Sequence, residues 1–243
     1  MGLTNQSTGS SLLGNNIVID RSSFHGSIIA LSGNPNVGKS TVFNSLTGLN
    51  QHTGNWPGKT VATCYGKYRH KNKDFILVDI PGTYSLMANS AEEEVARDFV
   101  CFENPDATVV ITDATCLERN LNLVLQTLEI TDKVIVCVNL IDEAERKKIN
   151  INCKKLSDHL GVPVIATNAR SGRGLDELID TVHNITLGIV RTNPLKITYD
   201  ETIEQAIELV RPILREITDG KTNDRWVSLK LLDGDVSMLE SLN

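Results

Sequence analysis

Residues 27–46 read Ser27-Ile28-Ile29-Ala30-Leu31-Ser32-Gly33-Asn34-Pro35-Asn36-Val37-Gly38-Lys39-Ser40-Thr41-Val42-Phe43-Asn44-Ser45-Leu46. The first six are small and apolar, as a buried strand requires. From about Lys39 the pattern turns helical. Between them lies Gly-x-x-x-x-Gly-Lys-Ser, so strand, glycine-bounded loop and helix follow one another as in a phosphate-binding loop. Gly33 and Gly38 carry no Cβ and let the backbone turn and approach a ligand closely. The backbone N–H groups of the loop and of the helix start then face inward and attract phosphate oxygens. In that arrangement Lys39 reaches the β- and γ-phosphates and the Ser40 hydroxyl ligates Mg²⁺. The reading is therefore a nucleoside triphosphate site.

Outward from this loop, apolar strand-like runs alternate with helical patterns between about 26 and 190. Strands are expected at 27–32, 61–69, 74–80, 107–112, 133–138 and 162–166, and helices at 40–48, 91–102, 118–130, 143–148, 152–160 and 174–187. Val109-Val110-Ile111 and Val134-Ile135-Val136-Cys137-Val138 are continuously apolar, as strands buried on both faces must be. The alternation predicts an α/β fold with a mostly parallel sheet of six or seven strands flanked by helices. Strands 61–69 and 74–80 lie too close for a crossover helix and should form an antiparallel hairpin, turning at Lys71-Asn72-Lys73-Asp74. The basic stretch from Lys67 to Lys73 then reads as its solvated end.

After Asn193-Pro194 the character changes. Residues 201–218 carry apolar side chains at helical spacing, with Pro212 expected to kink the helix. A second apolar cluster, 226–232, stops at Asp233-Gly234-Asp235, and 237–242 begins another helix. The expected organisation is a flexible tail at 1–24, a nucleotide-binding domain at 25–190 and a small all-helical domain at 194–243.

Composition narrows the classes. Twenty-four basic against thirty acidic residues give a net charge of −6, which speaks against a nucleic-acid surface. The five cysteines are odd in number, widely spaced and without a Cys-x-x-Cys pair, so they read as reduced core residues. The five histidines are scattered and suggest no metal cluster. No run of 18 apolar residues occurs, and the Ser/Asn/Gly-rich start is not a secretory signal.

Three more strand ends carry chemistry. Phe75-Ile76-Leu77-Val78-Asp79-Ile80-Pro81-Gly82 ends a buried strand in Asp-x-x-Gly. There Asp79 would sit beside Mg²⁺ and the Gly82 N–H would meet the γ-phosphate. Val134 to Val138 run into Asn139-Leu140-Ile141-Asp142. Asp142 can accept two hydrogen bonds from guanine N1–H and its exocyclic amine, a donor pair that adenine lacks. Asn139 would brace the loop. The alternative for Asp142 is a simple helix N-cap. Thr167-Asn168-Ala169, at a third strand end, offers backbone N–H groups to the guanine carbonyl, and Ser171-Gly172-Arg173-Gly174 should be mobile. All of these lie at the carboxyl ends of strands, where open α/β sheets bind ligands.

In this order the motifs resemble the translation-factor-related GTPase superfamily over about 27–190. The details are closer still. Gly33 to Thr41, Asn55-Trp56-Pro57-Gly58-Lys59-Thr60-Val61 and Asp79-Ile80-Pro81-Gly82-Thr83-Tyr84-Ser85-Leu86 resemble the cytosolic amino-terminal region of the bacterial ferrous iron transporter family FeoB. Asp224-Arg225-Trp226 and Lys230 to Asp235 look like the helical domain that follows it.

The resemblance implies a P-loop GTPase fold and GTP hydrolysis to GDP and phosphate. It implies nucleotide contacts from Gly33, Asn34, Pro35, Asn36, Val37, Gly38, Lys39, Ser40, Thr41, Gly58, Lys59, Thr60, Asp79, Gly82, Asn139, Asp142, Thr167, Asn168 and Ala169. Catalysis would fall to Lys39, Thr60, Gly82 and Asn36. Ser40, Thr60 and Asp79 would hold Mg²⁺, while Asn36 would hold an activating K⁺ in place of an arginine finger. Residues 49–63 and 80–97 would be switches I and II, ordered by the γ-phosphate. Thr83 stands where better-known small GTPases carry a water-orienting glutamine, which implies slow hydrolysis. Asn168 replaces the usual serine of the base loop. Implied partners are GTP or GDP and the membrane-spanning portion of the same transporter, on the cytoplasmic side of the bacterial inner membrane, with a homo-oligomer open and no nucleic acid. The alternative is a ribosome-assembly or tRNA-modification GTPase that binds RNA, which would need a basic appended domain.

Overall fold

A computed structural model of the chain describes residues 24–49, 51–55, 61–235 and 237–238. Seven strands form one sheet in the order β2-β3-β4-β1-β5-β6-β7. The strands are β1 (Ser27–Gly33), β2 (Gln51–Asn55), β3 (Ala62–His70), β4 (Lys73–Asp79), β5 (Ala107–Asp113), β6 (Val134–Asn139) and β7 (Val164–Ala166). β1 pairs in parallel with β4 on one side and β5 on the other, and β6 and β7 extend the parallel half. The first βα unit enters at the centre, and the chain then builds outward first to one side and later to the other. That leaves a crevice at the carboxyl end of β1, the expected place for a ligand.

The chain builds its two cores on opposite faces of this sheet. Alternate residues of each central strand face one core or the other: Ile28 and Ala30 belong to the layer under α2 (Ala91–Phe102) and α3 (Leu117–Ile130). Ile29 and Leu31 belong to the layer under α1 (Lys39–Thr47) and α6 (Leu175–Thr186). Both sets are buried, which is why β1, β5 and β6 read as unbroken apolar runs. Two short helices, α4 (Ile141–Arg146) and α5 (Cys153–Leu160), connect β6 to β7. α7 (Glu201–Ile217) and α8 (Asp224–Leu232) pack on each other and add Leu214, Trp226 and Val227 to the α2/α3 core, which Met238, beyond α8, also joins.

Several expectations change. β2 forms a strand where the sequence reading placed only switch I; it joins β3 from Gln51↔Gly66 to Asn55↔Ala62. The short polar string Gln-His-Thr-Gly-Asn has no apolar alternation to announce it, because an edge strand draws its stability from the ladder. The β3–β4 turn is two residues, not four. His70 pairs with Lys73, and Lys71 and Asn72 both take positive φ (46° and 62°), as the twist of a tight hairpin demands. Nor is the basic tip merely solvated: His70 Nε2 lies 2.6 Å from Asp180 Oδ1, Lys71 Nζ also reaches that carboxylate, and Lys73 donates to Thr186 Oγ1. The tip therefore docks on α6. α7 runs through Pro212 for five further residues. Of the helix expected at 237–242, only 237–238 lie among the described residues, and the tail at 1–23 and Trp56 to Thr60 lie outside them.

Candidate nucleotide site

The loop from Gly33 to Lys39 is held by its neighbours. Gly38 has φ 85°, a left-handed conformation, and a Cβ there would run into the Asn139 side-chain nitrogen. Asn36 also takes positive φ (67°), one of the few side chains that tolerate it. α1 then starts with Val42 N–H donating to the Gly38 carbonyl at 3.1 Å. No side chain caps this helix and its first turn holds no acidic residue. Its positive end is thus unanswered from within the described chain and faces the crevice.

Lys39 and Asp79 meet there. The lysine ammonium forms an ion pair with the Asp79 carboxylate and donates to the Ile80 carbonyl at 2.8 Å. Burial pushes the Asp79 carboxyl above its ordinary range, the nearby Lys39 charge opposing it. The backbone then crosses the loop: Thr83 N–H donates to the Gly33 carbonyl (3.3 Å), and Gly82 lies against Pro35. Thr83 itself is buried (4% exposed).

Asn139, 1% exposed, ties three loops together. Its Nδ2 donates to the Val37 carbonyl (3.0 Å), and its Oδ1 accepts from Ala169 N–H (3.0 Å) and the Thr167 hydroxyl (3.2 Å). Ser45 Oγ on α1 adds a bond to the Ala169 carbonyl. The Ala169 N–H that the sequence reading offers to a base carbonyl is thus engaged by Asn139 in this conformation. Asn168 Oδ1 accepts from Arg170 and Ser171 N–H, an Asx turn. The stretch expected to be mobile is bridged by Asn168 and Arg173, with Arg173 also paired to Glu145 (3.0 Å). Asp142 lies in the first turn of α4, whose N-cap position is Leu140, so the plain N-cap alternative does not hold. Its half-exposed carboxylate pairs with Arg146 at 3.6 Å.

The expected site residues Gly33, Asn34, Pro35, Asn36, Val37, Gly38, Lys39, Ser40, Thr41, Asp79, Gly82, Asn139, Asp142, Thr167, Asn168 and Ala169 thus gather at one sheet edge. Gly58, Lys59 and Thr60 lie outside the described residues.

These features have close counterparts in known proteins. The family model for ferrous iron transport protein B matches residues 27–182, and that for the FeoB cytosolic helical domain matches 199–243. The chain belongs to the FeoB family. The Fe(2+) transport protein A/Fe(2+) transporter FeoB fusion protein of Porphyromonas gingivalis is 39% identical over 86% of this chain and 25% of its own length. The Fe(2+) transporter FeoB of Salmonella typhimurium is 36% identical over 86% of this chain and 27% of its own. The chain therefore spans about a quarter of the curated FeoB relatives it matches. Among solved structures, the cytosolic domain of the T. maritima FeoB iron transporter in a GDP form superposes with a TM-score of 0.80 at 36% identity, over 90% of this chain and 84% of that one. Its GMPPNP form matches with the same TM-score. The fold is that of a P-loop GTPase G domain followed by a helical region. Among the described residues, no helix is long and apolar enough to cross a membrane.

Sequence reasoning missed one buried charge, away from this site. Arg97, on α2 beyond the Asp-x-x-Gly stretch, is wholly buried. It donates to Asp98 (2.8 Å), Asp235 (3.1 Å) and Ser237 (3.0 Å). The available signal was an arginine on the apolar face of α2, beside Val95, Ala96, Phe99 and Val100. Close by, Lys230 is 7% exposed and lies 3.1 Å from Met87 Sδ. A cavity of about 520 Å³ separates Leu86 and Met87 from Tyr199 and Trp226.

Proposed function

We propose that this chain binds GTP at the end of β1 and hydrolyses it to GDP and phosphate. It would serve as the G domain of a ferrous iron transporter, its nucleotide state governing Fe²⁺ uptake through a membrane-spanning portion on whose cytoplasmic side it works. The observation that carries the reading is the Asn139 brace, which joins the phosphate loop through Val37 to the base-facing loop at 167–169. A site built only for phosphate has no use for such a link.

In this reading the N-terminal end of α1 and the loop N–H groups hold the phosphates. Lys39 leaves Asp79 to meet the β- and γ-phosphates, and Gly82 N–H faces the γ-phosphate. Asp142 takes the guanine N1–H and amine. The donors Ser40 and Asp79, a hydroxyl and a carboxylate, are hard oxygens suited to Mg²⁺, and Thr60 would complete the set. Bound Mg²⁺ and K⁺ supply positive charge to the phosphate oxygens. Asn36, exposed at a positive-φ position of the loop, would offer its amide oxygen to K⁺. With Thr83 buried in place of a glutamine, no side chain at that position orients water, and hydrolysis is slow.

Hydrolysis measured in potassium and in sodium chloride tests the cation. Potassium should accelerate the chain about tenfold or more, about 1.4 kcal/mol of barrier, and Asn36→Ala should lose the difference. Equal rates in both salts remove the K⁺ role, whereas no hydrolysis with Mg²⁺ and GTP in either salt removes the GTPase reading. Asp142→Asn should weaken GTP roughly 100-fold, about 2.7 kcal/mol, and favour xanthosine triphosphate.

A further inference from the structure

Where the phosphate loop meets the stretch after β4, several buried polar atoms have no partner among the described residues. Asn34 is 1% exposed and both its side-chain oxygen and nitrogen are unpaired; the hydroxyl of Thr83, 4% exposed, is also unpaired. Ser32 Oγ, 1% exposed at the same strand end, is in the same condition. Asn34 and Thr83 are neighbours, because Thr83 N–H donates to the carbonyl of Gly33, the residue before Asn34. Gly82 in turn packs on Pro35, the residue after it. Almost all buried polar groups in folded proteins are paired, because an unpaired one forfeits its bonds to water without replacement. Here the exceptions are chemically matched: an amide and a hydroxyl, each able to donate and to accept, sit on residues at or next to the two ends of the Thr83–Gly33 backbone hydrogen bond.

The position of this pair gives the mismatch a use. Thr83 directly follows Gly82, whose N–H is the group assigned to the γ-phosphate, and Asn34 directly follows the first glycine of the phosphate loop. A pull on Gly82 displaces Thr83 across Asn34. We propose that the Asn34 amide and the Thr83 hydroxyl form a hydrogen bond when the γ-phosphate draws Gly82 in, so that the pair favours GTP over GDP. The inference rests on the reading of this site as a GTP site. Both are positioning residues, acting through Gly82. The threonine that stands in the glutamine position thereby acquires a role of its own, inside the protein rather than against the attacking water.

The test is equilibrium binding of GDP and of the non-hydrolysable analogue GMPPNP to the whole chain. Thr83→Val, which keeps the side-chain shape and removes the hydroxyl, should weaken GMPPNP about tenfold and leave GDP within about twofold, as expected for one hydrogen bond made in one state only. Thr83→Ser should restore GMPPNP binding. Asn34→Ala combined with Thr83→Val should be no weaker than the worse single variant. Thr108→Val, which removes another unpaired buried hydroxyl in β5, should leave both affinities unchanged. The proposal is overturned if Thr83→Val binds GMPPNP like the parent, weakens both nucleotides equally (a water shared by both states gives this result), or if Thr83→Ser binds as poorly as Thr83→Val. A parent chain that binds neither nucleotide overturns the reading of the site, and the latch with it.

Discussion

Two seams hold this molecule together, and they are built from different chemistry. At the nucleotide edge, Asn139 joins three loops with neutral hydrogen bonds from a fully buried amide. Between the G domain and the last helices, the wholly buried Arg97 faces two carboxylates, Asp98 and Asp235, that are 14% and 19% exposed. A neutral brace carries little desolvation cost and holds its loops in one geometry. A buried guanidinium carries a large cost that only its partners offset, and partners at the rim can return to water. The first seam therefore fixes the geometry of the loops it joins, while the second is tied across by Asp235 and Ser237, because Asp98 lies beside Arg97 on α2.

Breaking each seam should show the difference. Asn139→Ala strands the Val37 carbonyl and the Ala169 N–H at once and leaves the Thr167 hydroxyl only Cys137 Sγ. It should cost about 3 kcal/mol in chemical unfolding and raise hydrogen exchange at both 33–39 and 167–169. Exchange confined to one loop would mean that the loops are not joined through this side chain. Arg97→Met removes the charge but keeps much of the length. It should cost about 2 kcal/mol, with increased exchange confined to 224–235 and none in the phosphate loop. If the phosphate loop loosens as well, the two seams are one unit.

The smallest effect lies within the helical part, where Arg225 donates to Glu204 at 2.8 Å. This contact holds the Glu204 carboxyl down at about 2, from an ordinary value of 4.5. A depressed acid binds fewer protons folded than unfolded. Its contribution is therefore complete above about pH 4.5 and is lost as pH falls toward 2. Glu204→Gln should flatten that part of the stability–pH curve, followed by the thermal midpoint, and leave pH 7 nucleotide binding alone. An unchanged acid limb would show that the pair contributes nothing in solution.

Much of this architecture was legible in the chain. Continuous β-branched runs can only be strands covered on both faces, so β1, β5 and β6 were readable at once. The glycine-bounded loop located the ligand, since Gly38 leaves no room for a Cβ against Asn139. Boundaries were harder: β2 has no pattern of its own and forms because β3 offers a ladder. The hairpin tip looked solvated because its charges are evident in sequence, whereas Asp180, which receives two of them, lies more than a hundred residues away.

The sequence by itself determined the order of strands and helices apart from β2, the phosphate loop and the residue types at each strand end. These follow from backbone sterics and the spacing of apolar side chains, which are local. Only the tertiary structure decided which of those residues touch. It placed Lys39 on Asp79, committed the Ala169 N–H to Asn139, buried Arg97 against Asp235, and left the side chains of Asn34 and Thr83 without partners among the described residues. Such pairings depend on desolvation and on long-range contact between segments, and neither is written in the neighbourhood of any one residue.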